Sequence, residues 1–104
     1  MVVIPETIQI GGHVFVINTD AKTREKLQEG KYMGTAISVK NRIDIDISYP
    51  ESHVMATFMH ECCHIISDLS QLELTEAQVT TLGNGLQQVL LSMGIVFQQK
   101  EANA

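Results

Sequence analysis

The chain has 104 residues, 12 acidic and seven basic side chains, four histidines and a formal net charge of −5. That length holds one domain, expected over residues 1–104, and the negative balance excludes the clustered Lys and Arg on which nucleic-acid binding rests. No apolar run approaches the roughly 18 residues of a membrane span, and residues 1–7 lack a basic stretch before a long apolar one, so no membrane partner and a cytoplasmic location are expected.

Thr7 and Gln9 alternate with Ile8 and Ile10, Gly11 and Gly12 signal a turn, and residues 14–17 form an apolar run. This pattern predicts a hairpin. Residues 20–30 are charged, with Leu27 as the one large apolar anchor, which fits a surface loop or one short helix. Residues 34–39 and 42–47 flank Lys40 and Asn41 and predict a second hairpin. In its return strand Ile43, Ile45 and Ile47 share one face, while Asp44 and Asp46 are expected on a solvated one.

Beyond Pro50 the period changes. Val54, Met55, Phe58, Cys62, Ile65, Ile66 and Leu69 recur at three- and four-residue spacing, predicting a helix from Glu51 to about Leu69. Thr75 and Gln78 match a capping box at the start of a second helix. Its apolar stripe would be Val79, Leu82, Leu86, Val89, Leu90 and Met93, with Gly94 as the stop and residues 97–104 fraying. The implied fold class is α+β: a small, mostly antiparallel sheet of two hairpins followed by two packed helices.

Within the first long helix stands His60, Glu61, Cys62, Cys63, His64, an H-E-x-x-H pattern. Residues four apart lie one turn apart on one helical face, so both imidazoles can reach one metal ion. Glu61 is rotated about 100° away, off the ligand face but within reach of water at the metal. Zinc held by three protein groups keeps a position for water and lowers its pKa to about 7, and Glu61 can take that proton. Shuffling this composition yields the pattern about once per hundred sequences, so its position inside a periodic helix is what raises its weight.

A third ligand is required. Ser67 and Ser70 occupy the positions where an extended H-E-x-x-H-x-x-G-x-x-H motif needs Gly and His. Asp68, Glu73, Glu76 and Asn84 remain. Asp68 is too short to reach, and Glu73 precedes the cap with no fixed orientation. Glu76 opens the second helix on the face of Val79 and Gly83, where the missing Cβ of Gly83 would let the two helices approach. An acid in a first helical turn is also favoured by the helix dipole without any metal.

Cys62 and Cys63 are adjacent, cannot clamp a loop, and point away from the ligand face, so they read as reduced, packed thiols. Tyr32, Tyr49, His13, His53 and Arg42 are the available groups to stabilise an oxyanion. His53, two turns before His60, could rim the cleft, although a plain surface position is the simpler reading.

The motif His60, Glu61, His64, followed by Leu74, Thr75, Glu76, Val79 and then by Asn84, Gly85, Leu86, Val89 and Leu90, resembles the small zincin-type metallopeptidase domains of phages and prophages. These are related to the ImmA/IrrE-like group and to minimal gluzincins. The resemblance spans residues 31–91 and departs from the commoner helix at Cys62, Cys63 and Gly83. It implies zinc on His60, His64 and Glu76, with Glu61 as the base, and a zinc-dependent endopeptidase in a bacterial host or phage-infected cell. It suggests a phage regulatory protein as target, and a peptide substrate added as a strand along residues 42–47. A different reading is a phage-encoded binding or assembly module that keeps the zincin fold with little turnover. In a third, residues 97–104 lie across the cleft and block it.

Overall fold

The first hairpin forms because two consecutive glycines accept a turn that other residues resist. Gly11 and Gly12 have φ of 58° and 83°, the pair of positive values that a tight two-residue hairpin turn requires. They join β2 (Thr7–Ile10) to β3 (His13–Asn18) in antiparallel register, Ile8 opposite Phe15. Period-two alternation then sends Phe15 and Ile17 into the core and leaves Val14 and Val16 exposed. The computed structural model describes residues 2–95 and 97–98, including a two-residue β1 (Val2–Val3) ahead of this hairpin.

Residues 20–30 resolve as a helix, α1 (Ala21–Glu29). Asp20 caps it by accepting a hydrogen bond from the Thr23 backbone N–H at 3.1 Å, and Leu27 is its buried anchor. The helix carries the chain to β4 (Gly34–Ile37), which returns through a short 3₁₀ turn (Ser38–Lys40) and a left-handed Asn41 into β5 (Arg42–Ile45). Both expected hairpins are present. They join, however, through a parallel pairing of β3 with β5, so the sheet is mixed, in the order β2-β3-β5-β4. A parallel neighbour needs a crossover, and α1 with β4 supplies it.

Two expectations are corrected here. β5 ends at Ile45 and lies inside the sheet between β3 and β4. Strands pair with it on both sides, so it offers no free edge to a peptide; the sheet edges are β2 and, next to β5, β4. Asp46 is also not on a solvated face. The chain turns at the strand end and buries it to 1% exposure, where the Ser48 backbone N–H and hydroxyl donate to Oδ1 at 2.9 and 2.6 Å and Gln28 donates to Oδ2 at 3.1 Å. Asp44 is half-buried and also engaged, accepting from Asn18 at 3.0 Å with Arg42 3.3 Å away.

Helix α2 (Glu51–Ser70) lays its apolar face on the sheet. Val54, Phe58, Cys62 and Ile65 close a core with Phe15, Ile17, Ile43 and Ile45. Cys62 and Cys63 are buried and unbridged, as packed thiols should be. Helix α3 (Glu76–Ser92) packs on α2 and buries only Val79 and Gly83. Most of its expected core stripe is not core: Leu90 is half-buried, and Leu82, Leu86, Val89 and Met93 stay exposed. Phe97–Gln98, expected to fray, forms β6 and pairs in parallel with β1; residues 99–104 of that expected tail lie outside the described residues. No helix among the described residues is long and apolar enough to cross a membrane.

Candidate metal centre

The spacing of His60 and His64 does what helix geometry demands. Both sit on one face of α2, ring centroids 4.8 Å apart, with Nε2 to Nε2 at 3.1 Å. Glu76 comes to them through a short, heavily specified connection. The buried Ser67 hydroxyl accepts from the Leu74 N–H at 3.0 Å, and the Leu72 N–H bonds back to the Ser67 carbonyl. Gln71 and Glu73 take left-handed φ of 56° and 54°, and the capping box then closes. Gln78 N–H donates to Thr75 Oγ1, and Thr75 N–H donates to Gln78 Oε1. Glu76 is thereby the first residue of α3, directed back at α2.

Gly83 sets the depth of the approach. A Cβ there would stand 3.2 Å from the His60 Cα and 3.3 Å from its backbone N, so glycine lets α3 lie against the ligand-bearing turn. The Glu76 carboxylate spans both imidazoles, Oε1 to His60 Nε2 at 2.7 Å and Oε2 to His64 Nε2 at 3.0 Å. Ligand atoms of the three residues lie within 4.8 Å of one another.

This donor set fits a cation better than it fits itself. An imidazole Nε2 offers one proton or one lone pair, and each of these has two close neighbours to serve. Both histidines can donate to the carboxylate, but their protonated nitrogens then face each other at 3.1 Å. A cation in the middle accepts three lone pairs at once. A tetrahedral zinc site with bonds of about 2.0–2.1 Å has donor edges of about 3.3 Å, close to the 3.1 Å between the two Nε2 atoms, and Glu76, whose side chain is 71% exposed, has room to turn one oxygen towards the shared point. His60, His64 and Glu76 therefore form a group able to hold a metal ion.

Glu61 stands beside it under different conditions. It is buried, and burial first, then the nearby Glu76 charge, push its carboxyl from 4.5 up to about 7. Burial likewise pushes the Cys62 thiol up to about 12.

The cluster opens on a cleft of about 380 Å³ between α2, the N-terminal part of α3 and the chain entering β4. Of the five groups considered for an oxyanion, Tyr32 and His53 line this cleft. His13 is on β3 and Arg42 lies against Asp44. Gly34, not anticipated from the sequence, brings β4 up to the site. A Cβ there would be 2.6 Å from Thr57 Cγ2, 3.0 Å from the Asp44 carbonyl and 3.4 Å from Glu61 Cγ. A lone glycine opening a strand is the signal that could have marked this contact. Lys31, with a left-handed φ of 61°, also lines the cleft. A scan of protein-family models, a search of curated proteins and a search of solved structures each find no match to this chain.

Proposed function

We propose that this chain is a zinc-dependent endopeptidase in which His60, His64 and Glu76 hold the metal and Glu61 is the general base. The observation that carries the reading is three convergent donors beside a buried, donor-poor carboxylate on the wall of an open cleft. Three protein ligands, rather than four, favour a catalytic over a structural zinc site. When bound, zinc supplies a Lewis acid for a carbonyl oxygen and lowers the pKa of water to about 7.

The chain's own residues do the rest. A positive charge at the ligand cluster draws the Glu61 carboxyl back down from about 7, leaving a carboxylate that accepts the proton of the attacking water at neutral pH. The same proton then goes to the departing amine. Tyr32 and His53, on the cleft wall, donate to the oxygen that becomes negative. The substrate peptide adds as a strand beside β4, the sheet edge next to Glu61, in place of the interior β5. The resemblance to phage and prophage metallopeptidases makes a regulatory protein the proposed target.

The test is cleavage of a peptide mixture by zinc-loaded protein, read by mass spectrometry. Glu61→Gln should lower the rate by about a thousandfold while keeping its zinc, and equal rates would remove the base. A wild-type protein that holds zinc yet cleaves nothing would favour the binding or assembly module.

A further inference from the structure

The face of α3 turned away from the cleft carries a second feature. Leu82, Leu86, Val89 and Met93 are 48%, 43%, 55% and 69% exposed. Their spacing of four, three and four residues is that of a helix–helix seam, in which the side chains of one helix fill the gaps of another. Leu82 and Asn84 leave the helix on opposite sides of Gly83, and Asn84 lines the cleft. The seam therefore lies on the opposite flank. On α2, Ile66 (45% exposed) projects to that same flank, rotated from His60 in the sense opposite to Glu61.

Two observations identify the occupant. First, no charged residue occurs between Glu76 and Lys100 although the whole chain carries −5. A second copy would be repelled elsewhere and meets no like charge here, and a charged partner would find nothing to pair with. Second, Gly85 flanks the seam, and a Cβ there would meet nothing within 4 Å among the described residues. Glycine weakens a helix interior, and none of the described residues calls for it, whereas a second helix crossing closely does.

The areas agree. A standard homodimer interface buries about 800 Å² per partner, about 65% of it apolar, or about 500 Å². The four seam residues with Ile66 leave roughly that much apolar surface open. We infer that this chain forms a two-fold dimer through the α3 seam Leu82, Leu86, Val89 and Met93, with the two clefts facing away from the interface. A seam that pairs with itself closes under two-fold symmetry.

Sedimentation velocity across a concentration series tests it. Wild type should be dimeric, dissociating in the micromolar range. Val89→Glu should weaken the dimer by about a hundredfold, and so should Gly85→Trp, whose side chain projects into open space in the single chain. Both variants should keep the wild-type far-UV circular dichroism and zinc stoichiometry, which separates lost association from lost folding. A wild-type monomer at about 100 µM, or a dimer indifferent to both substitutions, overturns the inference. Neither result bears on the metal reading, since the seam and the ligands lie on opposite flanks.

Discussion

Asp46 and Glu61 are both acids with almost no exposure, and they meet opposite fates. Asp46, at the end of β5, is surrounded by donors. Burial raises its carboxyl, but Ser48 and Gln28 outweigh that and hold it below its ordinary 3.8. Glu61, on α2 at the cleft, is buried with a second acid nearby and no hydrogen bond to lower its carboxyl, and it rises to about 7. Burial alone therefore does not decide what a carboxylate is for. The satisfied acid ties α1 to the sheet, and the unsatisfied one is poised to exchange a proton near neutral pH.

Substituting either acid separates the two roles. The largest effect expected is at Glu61, where the glutamine variant loses about three orders of magnitude in peptide cleavage with little change in zinc content. Asp46→Ala should leave zinc content unchanged and instead cost about 2–3 kcal/mol of stability in a urea titration, because Gln28 loses its acceptor and a buried network is cut. The pH dependence has opposite signs. The Asp46 carboxyl is depressed when folded, so its stabilisation is present above its unfolded value and fades as pH falls through the folded one. The Glu61 carboxyl is raised, so in metal-free protein the penalty appears as pH rises from 4.5 through about 7. Glu61→Gln should then stabilise metal-free protein by about 1–2 kcal/mol at pH 8 and scarcely at pH 5, read as melting temperature. The smallest change is a single methyl group. Gly34→Ala puts a Cβ against Thr57 and the Asp44 carbonyl, and should cost about 1–2 kcal/mol while weakening peptide binding more than zinc binding.

What the sequence disclosed follows the range of the interactions. The motif helix, the capping box at Thr75 and Gln78, and the close approach at Gly83 depend on neighbours within a few residues or on one facing helix, and each is read from local spacing. Glu76 was accessible for the same reason, since the cap fixes it at the helix start. The parallel pairing of β3 with β5 was not legible, because it depends on where α1 carries the chain. Asp46 looked like an outward strand position. Its burial comes from Gln28, 18 residues earlier, and from a strand that stops one residue before it. The α3 stripe was apolar as read, but apolar spacing does not say which partner covers it, and among the described residues of α3 only Val79 and Gly83 are fully buried.

The proposed zinc site stands or falls on His60, His64 and Glu76. Isothermal titration of metal-free protein with zinc, repeated on His60→Ala and Glu76→Ala, decides it. One zinc per chain is expected for wild type, and an affinity lower by about a hundredfold or more in each variant. Wild-type protein that takes up no zinc, or a Glu76→Ala variant that binds it as tightly as wild type, would contradict it.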